Sequence, residues 1–171
     1  MPSRTDRWRP LDLPMVPGSP PGALPAYVAN GFVGLRVREV PLRAGVVTLS
    51  GLAGEDPDAR VEGAPYVPYP LAGDLGIGDR WLSDAPEAVS AVEQRYDFAT
   101  AELSSRFRVE GDGAVAMVQV VTFASRTQPT LVLQEITLET SATCDLRFRA
   151  TVEPGSTPGT WLERETSTPG D

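Results

Sequence analysis

Three pairs of carboxylates stand close enough in the chain to invite acid–base chemistry: Asp56 with Asp58, Asp74 with Asp79, and Asp84 with Glu87. Cleavage of a glycosidic bond uses such a pair, one carboxyl as acid and the other as base or nucleophile. All three pairs lie in polar segments rich in Gly and Pro, where carboxylates are expected to be solvated. A general acid working near neutrality needs surroundings that disfavour its charge, and no apolar run encloses any of the three. No residue is therefore assigned a catalytic role.

Other chemistries are removed by what the chain lacks. It has no His, and all 15 of its cationic side chains are Arg. Without His, neither a Ser-His-Asp nor a Cys-His nucleophile system can be assembled. Without Lys there is no Schiff-base amine and no phosphate-loop lysine. One Cys and no His make no standard zinc site, so no metal and no cofactor is expected. Gly73-Asp-Leu-Gly-Ile-Gly78 lacks the Gly-x-Gly-x-x-Gly spacing of a phosphate cradle and reads as turn material. The single Cys144 sits in the apolar phase of a strand pattern and is expected in the core.

Binding chemistry offers one cluster. Tyr66, Tyr69 and Trp81 gather in one long loop, and sugars stack on such rings. These three are the candidate carbohydrate-binding residues, with a glucoside as the possible ligand. The net charge of −8 disfavours nucleic acid and anionic membrane surfaces, which call for a basic stripe. No segment approaches the roughly 18 apolar residues of a membrane span. The polar opening, Met1 to Pro10, reads as neither signal peptide nor anchor, so a cytoplasmic protein is expected.

The elements that must position these groups are strands. Residues 1–25 hold seven of the 17 prolines and are expected to be an extended leader, because proline breaks helices and donates no ladder hydrogen bond. Residues 154–171, with Pro154, Pro158 and Pro169 among Gly, Ser and Thr, read as a flexible tail or the start of a linker. The ordered domain is then 26–153. Short apolar runs at Gly31–Val37 and Gly45–Leu49 predict strands, and Ser50–Asp84 reads as an unusually long connection. Ala88–Tyr96, Ala101–Val109, Ala114–Phe123, Thr130–Thr140 and Cys144–Val152 each span a strand length. The last alternates, with Cys144, Leu146, Phe148, Ala150 and Val152 on a face predicted to meet a core. Glu110-Gly-Asp-Gly113 predicts a tight hairpin. Asp84–Val92 is the one helical candidate, with Pro86 in its first turn. Evenly spaced strands predict an all-β, antiparallel β-sandwich.

Tyr27-Val-Ala-Asn-Gly-Phe-Val-Gly-Leu-Arg36 resembles the opening motif of glycoside hydrolase family 65, an Asn-Gly-aromatic-x-Gly-x-Arg segment carried here by Asn30, Gly31, Gly34 and Arg36. Tyr96-Asp-Phe-Ala-Thr-Ala-Glu-Leu103 looks like that family's Leu-Asp-x-x-x-Gly-x-Leu strand entry. Thr122-Phe-Ala-Ser125 followed by Leu131-Val-Leu-Gln-Glu-Ile136 is similar to its Arg-Phe-x-Ser strand and successor. The chain departs from the pattern at Ala101, where the family often has Gly, at Thr122, where it often has Arg, and at Val37. The short motif looks closer to the hydrolase branch acting on trehalose, kojibiose or the glucosyl-galactosyl unit of collagen.

The resemblance implies an N-terminal sandwich related to the galactose-mutarotase-like supersandwich. It is expected to pack on an (α/α)6 barrel, in cis or as a neighbouring chain, that carries the catalytic groups of an inverting glycosidase. No catalytic residue of the family has a counterpart in this chain. The motif glycines are expected to serve backbone conformation, and Arg36 an ion pair or the barrel face. A missing partner would leave an apolar patch exposed, with Ser50–Asp84 the expected contact. A free-standing carbohydrate-binding or protein-interaction sandwich is the alternative.

Overall fold

The computed structural model describes residues 11–13, 26–55, 60–63, 65 and 67–154. Of the outer segments, Leu11–Leu13 (β1) belongs to the fold as a strand paired with Val89–Asp97 (β9). The rest of the expected leader, and the expected tail beyond Pro154, lie outside the described residues.

The described residues form an antiparallel sandwich. One layer is a five-stranded sheet in the order β1, β9, Glu102–Gly111 (β10), Ala114–Ala124 (β11) and Val132–Thr140 (β12). Facing it are two small sheets. One is a meander of Ala26–Ala29 (β2), Val33–Val37 (β3) and Val46–Leu49 (β4). The other orders Leu146–Glu153 (β13), Tyr69–Ile77 (β7) and Arg80–Trp81 (β8). Gly54–Glu55 (β5) and Glu62–Gly63 (β6) make a minimal ribbon. No described helix is long and apolar enough to cross a membrane.

Period-two patterning builds the large sheet. Leu103, Ser105, Phe107 and Val109 on β10 stand opposite Thr122, Val120, Val118 and Ala116 on β11, and all eight are buried. The hairpin between them turns at Asp112 and Gly113, both at positive φ (51° and 71°), as an Asp-Gly turn of mirror-image type requires. Two apolar clusters result. The meander packs Val28, Leu35 and Val37 on Leu103 and Ala124. The other small sheet packs Leu75 and Ile77 on Phe107, Val118 and Val120.

A polar seam lies between the clusters, where the segment from Arg38 to Ala44 passes into the interior with Val40 and Leu42 buried. Its carbonyls need donors. The Gln94 side chain donates to the Arg38 carbonyl and to Ser105 Oγ, each at 3.1 Å. Gln134 donates to the Pro41 carbonyl and to Thr122 Oγ1, each at 3.4 Å. Four polar side chains at inward positions thus serve a buried connection and carry no chemistry of their own.

Three expectations are corrected. Ser50–Asp84 is not a structureless connection, since it contains β5 to β8, including the nine-residue β7. Gly73 on β7 is a close-approach site: a Cβ there would lie 2.7 Å from the Arg149 carbonyl oxygen on β13. The helix expected over Asp84–Val92 is one 3-10 turn, Pro86–Ala88, after which the chain enters β9, because backbone pairing with β10 outweighs a weak local preference. The apolar face of β13 does not meet a core: Leu146, Phe148 and Val152 are 41%, 49% and 54% exposed. Cys144, just ahead of that strand, is half-buried against the second cluster.

Candidate functional site

An open groove of about 200 Å3 lies at the β2–β3 hairpin, bordered by Tyr27, Gly31, Phe32, Gly34, Thr48 and Ser50. Tyr27, Ala29, Gly34, Arg36, Val46 and Thr48 share the outward face of the meander, opposite the buried Val28, Leu35 and Val47. Tyr27 and Phe32 are each more than two-fifths exposed. The Tyr27 ring lies across Gly34, where an added Cβ would come within 2.6 Å of ring carbon Cζ. Its phenol bonds Thr48 Oγ1 at 2.6 Å, and Thr48 in turn reaches the Gly34 carbonyl at 3.5 Å. Gly34 is therefore small so that an aromatic platform can lie flat on the sheet.

Asn30 fixes the hairpin. Its Oδ1 accepts from the backbone N–H groups of Phe32 and Val33, both at 3.0 Å. Its Nδ2 donates to the carbonyls of Ser125 at 2.6 Å and Pro129 at 3.0 Å. Gly31, at φ 94°, supplies the left-handed residue of the turn. Arg36 is exposed on the outward face and has no ion-pair partner among the described residues.

The aromatics expected to bind sugar do not come together on an open surface. Tyr66 lies outside the described residues. Tyr69 is 2% exposed in the first cluster, with no ring face for a ligand. Burial pushes its phenol up to about 12, against an opposing pull from the Arg38 guanidinium, and its hydroxyl has no hydrogen-bond partner among the described residues. Trp81 is half-buried, and the guanidinium carbons of Arg147 and Arg149 stand 4.9 and 4.5 Å from its ring centroid. Cation–π contacts occupy the place a sugar would take. Loop composition identified aromatic rings but not which phase of β7 they fall on. Tyr27 carried a legible signal, its outward phase relative to Val28.

The carboxylate pairs also separate. Asp56 and Asp58 lie outside the described residues. Asp74, expected to be solvated, is 5% exposed. Its Oδ1 accepts from the N–H groups of Leu75 at 3.0 Å and Ser83 at 3.2 Å, and its Oδ2 bonds Arg149 at 2.7 Å. With its oxygens so engaged, it holds β7, β8 and β13 together. Asp79 is exposed at the β7–β8 turn. Asp84 is exposed, and Glu87 forms a 3.1 Å surface ion pair with Arg80. None of the described pairs encloses a space for water between two acids, as inverting chemistry requires.

A scan against protein-family models finds no match to this chain, and a search of curated proteins finds none either.

Proposed function

We propose that this chain is the non-catalytic β-sandwich part of an inverting glycoside hydrolase resembling family 65, acting on α-glucosides in the cytoplasm. In this reading it packs against an (α/α)6 body, in cis or as a neighbouring chain, that holds the catalytic acids. The observation that carries the reading is a convergence. The three segments on which the resemblance rests lie far apart in sequence, yet they meet at one end of the sandwich. Leu103 pairs with Tyr96 on one side and with Thr122 on the other, and Asn30 bonds the Ser125 carbonyl.

A second point supports it. Ala101, at a position where the family often has Gly, sits at φ 61°, in the left-handed region that favours Gly. The outward face of the meander, with exposed Tyr27, Arg36 and Val46, is then the surface offered to the catalytic body. It takes the role first expected of Ser50–Asp84.

The test is to find whether an (α/α)6 polypeptide is encoded in cis with or beside this chain, and to co-express the two. Co-purification and hydrolysis of trehalose or kojibiose by the complex, with neither by this chain alone, is the expected result. Glucose release by this chain alone, or a genomic neighbourhood encoding no helical body with paired carboxylates, sinks the proposal.

The groove itself favours a second reading, carbohydrate binding by the isolated domain. At about 200 Å3 it falls below the roughly 300–1,000 Å3 of ordinary ligand pockets, which suits one sugar ring on Tyr27 or Phe32. Calorimetric binding of glucose or trehalose that is lost in Tyr27→Ala would favour it over the scaffold role.

A further inference from the structure

Among the described residues the sandwich is open on the side where β12 and β13 are the edge strands. Ile136 and Leu138 on β12 stand opposite Val120 and Val118 and so face inward, yet both remain half-exposed. On the facing layer, Leu146 and Phe148 of β13 stand opposite Ile77 and Leu75, which are core residues. They point to the same inner side but join neither apolar cluster. It is β7, not β13, that packs with Ile136 and Leu138 in the second cluster. Among the described residues, β13 thus overhangs the end of the five-stranded sheet by one strand, with no described strand beneath it.

The step has a self-complementary shape. Rotating a second copy by half a turn about an axis parallel to the strands brings its overhanging β13 into the space beside β12. The same rotation seats the first copy's β13 beside the partner's β12. We propose that this chain forms a two-fold dimer through this lap joint, each β13 filling the missing strand position of the other copy.

Three features on the page fit this one occupant. Among the described residues both β12 and β13 are edge strands with an unpaired backbone side, which a neighbouring strand would satisfy. The two inward apolar rows, Leu146 and Phe148 from each copy, would face one another across the axis and leave water. On the outer surface, β12 exposes Glu135 and Glu139 while β13 exposes Arg147 and Arg149. The rotation places the acidic row of one copy beside the basic row of the other, and an isologous contact does this twice. The surface uses none of the groove residues, so the dimer stands or falls independently of the proposed scaffold role.

The test is light scattering on the purified full chain at micromolar concentration, with hydrogen exchange above and below the dissociation midpoint. A mass twice the 18.3 kDa of one chain is expected, with added protection confined to β12 and β13. Phe148→Lys should weaken the dimer by about tenfold or more, because it sets two ammonium groups near the axis. Leu52→Lys, an exposed apolar-to-charged change in the turn after β4, should leave the dimer intact. A monomer at all concentrations, an undiminished dimer in Phe148→Lys, or equal dissociation in Leu52→Lys overturns the proposal. If Phe148→Lys loses its far-ultraviolet β signal, the exchange pattern of the unsubstituted chain decides, and protection elsewhere than on β12 and β13 counts against it.

Discussion

Asn30 gives the sharpest test of how this sandwich is tied together. Its side chain makes four hydrogen bonds, two within its own turn and two to the connection between β11 and β12. The bonds to Ser125 and to Val33 are part-buried, whereas those to Pro129 and Phe32 are exposed and water can replace them. Counting about 1 kcal/mol for each part-buried bond, and a smaller sum for loosening the turn, Asn30→Ala should cost about 2–3 kcal/mol. With a urea slope of roughly 1–3 kcal/mol/M, the unfolding midpoint should fall by about 1–2 M. Asn30→Asp separates the two halves of the role. It keeps the acceptor for Phe32 and Val33 but turns a carboxylate oxygen toward two carbonyls. At neutral pH it should be no more stable than Asn30→Ala. The fold favours the protonated form of the introduced carboxyl, so its folded pKa lies above the ordinary value near 4. The stability of that variant should then be full below about pH 4 and be lost as pH rises through the folded pKa. A loss under about 0.5 kcal/mol in Asn30→Ala, or a neutral-pH Asn30→Asp more stable than Asn30→Ala, would refute the assignment.

Four further outcomes follow from other sites. Gly45→Ala should destabilise by about 3 kcal/mol in urea titration, because the new Cβ would fall 1.9 Å from the Arg36 backbone carbonyl, which cannot swing away as a side chain can. Ala101→Gly should raise the thermal midpoint through a gain of about 0.5–1 kcal/mol, since it relieves a left-handed Ala. Tyr69→Phe removes a buried hydroxyl that has no partner among the described residues and should be neutral or stabilising by about 1 kcal/mol. The phenol's folded pKa of about 12 exceeds its unfolded value of 10.0, so stability should be full below pH 10 and fall by about 3 kcal/mol as pH rises toward 12, a drop that Tyr69→Phe abolishes. Asp74→Ala should cost about 2–3 kcal/mol in the same titration, since it orphans the buried Leu75 N–H and the part-buried Ser83 N–H and frees Arg149 from β7. A neutral result there would argue that the carboxylate is held for something other than structure.

The large sheet was legible because its physics is local. Alternation along β10 and β11 and the Asp112-Gly113 turn each set strand, register and reversal without reference to distant residues. Much of β7 was illegible for the opposite reason. Pro70, Gly73 and Gly76 read as turn signals, yet Gly73 and Gly76 are required by the backbone and side chains of β13 and β8, which arrive from elsewhere in the chain. The same blindness misplaced the aromatics. Tyr69 and Trp81 are twelve residues apart in a segment that looked unstructured, and only the pairing of β7 with β13 decides that one is interior and the other covered by arginines. The groove at Tyr27 was half-legible, since its residues were noticed as a motif while its aromatic platform was not.

The misreading of β13 has a physical lesson that bears on function. Strict alternation states that a strand has two unlike faces, and it is silent on whether an opposing layer exists to receive the apolar one. On β13 the apolar row is present and inward-facing while the facing sheet ends one strand short at β12. Asp74 and Arg149 nevertheless clamp this overhanging strand to β7, and Trp81 is layered over both of its outer arginines. A strand destined only to fray would gain nothing from a buried carboxylate and two cation–π contacts. These contacts hold β13 in register with half its surface unspent, and a strand held that way is preorganised for association. The fixed outer face and the unsatisfied inner face are therefore parts of one device, a rigid strand presenting an apolar row, which is what the proposed lap joint requires.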